Sequence, residues 1–192
     1  MKKITILLLL CSVMASAQCF KKVVSGHDHI LAIGQDGTLW AWASNEFGQM
    51  GDPSYVGGSN YPVQIGATGW KAIAGGEKHS LAIKEDGTLW AWGKDTYSQL
   101  GNGNGNGDSP FPIQIGVESD WKEVTAGLWA SAAIKTNGTL WTWGSNWYGS
   151  LGNGTSQTYE SWIPQQVGTE TNWKNVSGSF TQITHNTINL RG

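Results

Sequence analysis

Repetition constrains this chain more than any other feature. The run Gly-Thr-Leu-Trp-x-Trp occurs three times, at Gly37–Trp42, Gly87–Trp92 and Gly138–Trp143. An aromatic residue opens each unit, at Phe20, Trp70 and Trp121, and Trp173 starts a fourth, so units begin about fifty residues apart. A repeat of this length is one supersecondary unit that cannot bury its apolar face alone and has to stack on copies of itself.

Each unit spells out strands and turns. Asp36-Gly37, Asp86-Gly87 and Asn137-Gly138 are strong hairpin signals, because both residues of such a pair tolerate positive φ. The flanking runs alternate as strands do: in Thr88-Leu-Trp-Ala-Trp92, Trp90 and Trp92 share one face and Leu89 and Ala91 the other. A loop of shared register follows, Asn45 to Gly51, Asp95 to Gly101 and Asn146 to Gly152, and then a run led by Pro62, Pro112 or Pro164. Proline opening a short strand suits an edge position, where no ladder donor is lost. Four short strands in about fifty residues describe one blade of a β-propeller. The expected fold is all-β, with blades starting near residues 20, 70 and 121 and a partial unit from 173.

The best copy runs from Trp70-Lys-Ala-Ile-Ala-Gly-Gly76 through His79-Ser-Leu-Ala-Ile83 and Asp86-Gly-Thr-Leu-Trp-Ala-Trp-Gly93 to Ser98-Gln-Leu-Gly101. It resembles the regulator of chromosome condensation repeat, and the resemblance covers Phe20 to about Gly178. The resemblance implies a seven-bladed propeller. Here the pattern stops at three full units and the opening of a fourth, since Phe180 to Leu190 lacks the Ala-Ile pair and the Asp-Gly turn. Three blades leave two faces open, and open edges invite pairing with other chains. Either copies assemble into a ring, as a homo-oligomer, or the chain is a piece of a longer propeller; truncation is the expectation.

The ends and the charge bound the setting. Lys2 and Lys3, the apolar run Ile4 to Val13 and Ala15-Ser16-Ala17 read as a signal peptide over residues 1–17, leaving 18–192 as the repeat region. An apolar run of about ten residues is too short to span a bilayer. A lipoprotein is the weaker alternative, because Gln18 rather than a small residue precedes Cys19. The chain is expected to be exported, to periplasm, surface or medium, with no membrane span after cleavage. Of two cysteines, Cys11 leaves with the signal, so no internal disulfide is expected. The net charge is −2, and loss of Lys2 and Lys3 makes it more negative. The single arginine, Arg191, and the lack of a basic cluster argue against nucleic acid as a partner. Twelve tryptophans and 27 glycines supply buried area and turns, which is an all-β composition rather than a disordered one.

No catalytic constellation stands out: there is no nucleophile elbow, no phosphate-cradling Gly-Lys-Ser loop and no paired carboxylates by spacing. His29 and His79 share one repeat position, with Ala130 in the third unit, and read as packed strand residues rather than metal ligands. Gly101 to Asp108 resembles a calcium loop in composition, but only Asp108 offers a carboxylate, so a blade loop is the reading. No cofactor and no metal are expected. Nine tryptophans recur at fixed positions and read as core, whereas Trp129, Trp147 and Trp162 do not recur. Loop aromatics outside the core are the candidates for a contact surface: Trp129, Trp147, Tyr148 and, in the column of Tyr148, Phe47 and Tyr97.

These readings point to an exported, non-enzymatic scaffold that grips a protein through variable loops on a rigid frame. The resemblance implies precedents of two kinds. Nuclear members bind chromatin and promote nucleotide exchange on a small GTPase, a role the signal and charge argue against here. An exported bacterial-type member plugs a β-lactamase with a propeller face. The alternatives are polysaccharide binding, with Trp147 and Tyr148 stacking on sugar rings, an enzyme acting on extracellular polymers, and an inactive fragment.

Overall fold

A computed structural model describes residues 19–105, 107–155 and 160–177. The expected signal segment and the tail from residue 178, His185 included, lie outside the described residues. The chain forms three four-stranded antiparallel sheets, each a meander of consecutive strands. The first blade comprises β1 (Phe20–Ser25), β2 (His29–Gly34), β3 (Leu39–Asn45) and β4 (Gly57–Ile65). The second comprises β5 (Trp70–Gly75), β6 (His79–Lys84), β7 (Leu89–Gly93) and β8 (Ser109–Ile115). The third comprises β9 (Trp121–Ala126), β10 (Ala130–Lys135), β11 (Leu140–Ser145) and β12 (Glu160–Val167). Among the described residues no helix is long and apolar enough to cross a membrane.

The hairpin between the second and third strands differs in type from the expected one. Only the glycine takes positive φ, at 81° for Gly37, 82° for Gly87 and 80° for Gly138; the residue before it does not. Gly37 N–H donates to the Gly34 carbonyl and Gly34 N–H to that of Thr38, which is a tight turn followed by a left-handed glycine bulge. Asp36 contributes through its side chain: Oδ1 accepts the Thr38 N–H at 3.1 Å and hydroxyl at 2.6 Å. Asn137 does the same for Thr139. The turn acids are therefore turn chemistry. The prolines sit where the last strand bulges away from its neighbour, Ala41 pairing Val63 and Ala43 pairing Ser59.

Blades meet face to face. Leu31, Ile33, Leu39, Ala41, Met50 and Ile65 of the first pack against Trp70, Ile73, Ala82 and Trp92 of the second. Leu81, Ile83, Leu89, Leu100 and Ile115 likewise meet Trp121, Ala133 and Trp143. Leu89 and Trp92 thus serve opposite faces of one sheet, as alternation requires. Trp173 and Val176 continue the pattern by packing on Ala132, Ile134 and Leu140 of the third blade. Trp173 N–H donates to the Gly138 carbonyl as Trp121 N–H does to Gly87.

Each seam also has a polar stitch. Gln49's carbonyl, wholly buried, accepts the Ser80 hydroxyl at 2.7 Å and the Trp92 indole N–H at 2.8 Å. Gln99's carbonyl accepts Ser131 and Trp143 at 2.7 and 2.9 Å. The single hydroxyl proton of Ser80 is spent on Gln49, so His29 Nε2, 2.8 Å from Ser80 Oγ, must carry the proton of that bond. His79 Nε2 stands in the same relation to Ser131 Oγ, at 3.0 Å. The histidines at the recurring position are therefore seam residues. Burial pushes the His79 imidazole down to about 3, with His29 adding a smaller electrostatic part. It is neutral at physiological pH.

Not every recurring tryptophan is core. Trp92, Trp121 and Trp143 are buried, but Trp40, Trp90 and Trp141 are half-buried, each donating to the threonine two residues back. Trp42 occupies the place of Trp92 on the face of the first blade that no described blade covers. It is half-buried there, stacked on Phe20 at 6.0 Å, and Val23 on the same face is 55 % exposed. Ser131→Ala should cost about 2 kcal/mol, since it leaves the buried His79 Nε2–H unpaired and removes one of the two donors to the Gln99 carbonyl, which keeps Trp143. Urea unfolding checks this, and a loss under about 0.5 kcal/mol would refute the stitch as a stabilising element.

Candidate functional site

The loops after the third strands are held by one device. Asn45 Oδ1 accepts the Met50 N–H at 2.8 Å, and its amide donates to the Asp52 and Tyr55 carbonyls, each at 2.9 Å. Asn146 repeats this with Leu151 N–H and the Thr155 carbonyl. The glutamine of each seam then fixes the loop aromatic: Gln49 Oε1 accepts Phe47 N–H and Gln99 Oε1 accepts Tyr97 N–H, both at 2.8 Å. The aromatic is thereby presented at the mouth of the seam, above the next blade.

At the seam of the second and third blades, three of the candidate aromatics meet. Tyr97 lies 5.2 Å from Trp129 and 5.6 Å from Trp147 between ring centroids, and the two indoles lie 5.3 Å apart, edge to face. Such tilted and edge-to-face contacts are the favourable geometries for aromatic pairs. Trp147 begins the short 3-10 turn Trp147–Gly149 and leaves 42 % of its surface exposed. Phe47 stands apart at the preceding seam, where Lys78 and Lys94 approach its ring at 4.5 and 4.6 Å. Lys78 holds the repeat position of Trp129, so the two seam mouths differ by substitution within one frame. Tyr148 belongs to the same turn; its side chain is outside what is described.

Sequence reasoning passed over Lys78 and Lys94, which face Phe47, and over Gln49 and Gln99, which aim the aromatics. The glutamines recur before Met50 and Leu100, and that recurrence was the available signal. In the glycine-rich loop, Asp108 Oδ1 accepts the Asp95 N–H at 2.8 Å and Gly103 N–H donates to the Trp162 carbonyl. Among the described residues no group of three or more His, Cys, Asp or Glu side chains is placed to hold a metal ion.

The model of the regulator of chromosome condensation (RCC1) repeat matches residues 36–83, 86–134 and 137–184, and a second model of that repeat matches 20–49, 70–99 and 121–150. The chain belongs to the regulator of chromosome condensation repeat family. No curated protein matches it. Among solved structures it is similar to Prp20p from Saccharomyces cerevisiae, studied for its binding to Gsp1p and histones. They share 26 % identity and a TM-score of 0.72 over 83 % of this chain and 42 % of that one. Yeast RCC1 (Prp20) bound to Kap60 matches at 24 % identity and TM-score 0.72, over 83 % of this chain and 40 % of that one. Human WBSCR16 matches at 23 % identity and TM-score 0.74, over 84 % and 43 %. The chain thus spans less than half the length of these relatives.

Because the aromatic cluster lies at the surface and the seam tryptophans do not, their truncation should separate. Trp147→Ala should cost at most about 1 kcal/mol and Trp92→Ala about 3–5 kcal/mol. Denaturant midpoints compare the two directly.

Proposed function

We propose that this chain is an exported, non-enzymatic repeat scaffold that binds a protein partner through its blade loops, at the seam mouth where Tyr97, Trp129 and Trp147 meet. The observation that supports it most is the exposed Trp147 indole, held by two aromatic neighbours on a stitched frame. A rigid aromatic anchor loses little conformational entropy on binding, and tryptophan and tyrosine dominate interface hot spots. Prp20p, with which the fold is shared, has binding to Gsp1p and histones reported. Export rests on the basic start and Ala15-Ser16-Ala17. The test pairs wild-type chain with Trp147→Ala and, as control, Phe111→Ala on the outer strand, in capture from the compartment to which the host exports it. Trp147→Ala should weaken a specific protein partner by tenfold or more, about 1.4 kcal/mol, while the control binds as wild type. Equal capture by both would place recognition elsewhere, and a glycan-array signal lost with Trp147 would transfer the site to polysaccharide.

The uncovered face of the first blade supports a second element of this reading, assembly with a further blade-bearing chain such as another copy. Among the described residues, Trp42 there has no preceding carbonyl of the kind that Gln49 and Gln99 offer Trp92 and Trp143. Light scattering on the chain from Gln18 should give a folded species heavier than one chain. A stable folded monomer would count against assembly.

A further inference from the structure

The loop position held by Asn45 and Asn146 is occupied in the second blade by Asp95. The substitution keeps half of the device. Asp95 Oδ1 accepts the Leu100 N–H at 2.9 Å, as Asn45 Oδ1 accepts Met50 and Asn146 Oδ1 accepts Leu151. The other half fails, because a carboxylate has nothing to donate. Where the asparagine amides bond Asp52, Tyr55 and Thr155 carbonyls, Asp95 Oδ2 is buried with no partner at hydrogen-bonding geometry among the described residues. The whole residue is inaccessible to solvent.

A single proton repairs this. A neutral carboxylic acid has an O–H that can donate where the amide of asparagine donates, on a side chain of nearly the same shape. We propose that Asp95 is a proton-controlled latch on the second blade's loop: protonated, it clasps the loop carbonyls as Asn45 and Asn146 do, and ionised it releases them. The loop it clasps carries Tyr97 at one end and the glycine-rich stretch from Gly101 at the other. The latch therefore regulates the seam mouth, and that regulatory meaning rests on the binding role proposed above; the latch itself does not.

The surroundings favour the protonated state. Burial pushes the Asp95 carboxyl up to about 6, against the pull of the Leu100 N–H and the nearby Asn102 amide. The charged groups that act on it are Asp108, which takes its backbone N–H, and Glu160 at the start of β12; both are acids and raise it further. The native carboxyl keeps its proton to higher pH than the ordinary value of 3.8, so the native state binds more protons than the unfolded chain between the two values. The contribution of this group to stability is therefore fully present below 3.8, lost progressively as pH rises, and gone above about 6.

The experiment compares wild type with Asp95→Asn, without any partner, so that its outcome is independent of whether the aromatic cluster binds one. Thermal midpoints from about pH 3.5 to 7.5 and amide protection at Leu100 and Gly103 by nuclear magnetic resonance are the two readouts. The comparison with D95N cancels the acid sensitivity of buried His79. At pH 7.5 D95N should melt a few degrees above wild type, and the gap should narrow as pH falls below about 6 and close near 3.8. Protection in wild type should rise about tenfold or more as pH falls from about 6 towards 4, and stay flat in D95N. Parallel melting curves and untitrating protection would overturn the latch. So would calcium closing the gap at pH 7.5 as acid does, because the carboxylate would then serve a cation.

Discussion

The structure depends on one buried acceptor per seam. The carbonyls of Gln49 and Gln99 each receive a serine hydroxyl and a tryptophan indole from the following blade, and both glutamines are buried. Leaving such a carbonyl unpaired costs on the order of 1–3 kcal/mol, so the stitch fixes how the apolar faces are allowed to meet. Apolar packing alone is non-directional and would tolerate sliding of one sheet over another. Close approach is possible because Gly76 has no side chain; a Cβ there would lie 2.6 Å from the Gly127 carbonyl.

The same residues that lock the seams furnish the candidate binding surface. Gln99 gives its carbonyl to the seam and its side-chain oxygen to Tyr97 N–H, so core and loop are joined through one residue. Variation can then be confined to the mouth of the seam. Lys78 and Trp129 hold equivalent positions and yield a cation-flanked phenylalanine in one place and an aromatic cluster in the next. Asp95 is a further variation, placed in the loop's support instead of its tip.

Much of the fold was legible in the sequence because period-two alternation and fifty-residue recurrence are local signals. Trp90 and Trp92 were correctly placed on one face, and the histidines were correctly read as packed. The turn type was misread: Asp-Gly permits positive φ at both residues, but the aspartate spends its side chain on Thr38 or Thr88 and only the glycine turns left-handed. The first tryptophan of each pair was read as core because recurrence does not distinguish a buried column from one at the blade's margin. Of the five aromatics singled out, the sequence could not say that Tyr97 would join Trp129 and Trp147 while Phe47 met lysines.

The sequence by itself determined the number of repeats, the strand pattern and the apolar faces that must stack. Those follow from residue order within a unit and from the inability of one small sheet to bury its own surface. Tertiary structure decided which side chains from different blades share a space. Ser80 and Gln49, or Tyr97 and Trp129, lie about thirty residues apart. Their meeting is set by blade-to-blade rotation, a quantity that no local pattern carries. It also decided that the Asp95 carboxylate, one letter away from the asparagine of its neighbours, is sealed from water with one oxygen unpaired.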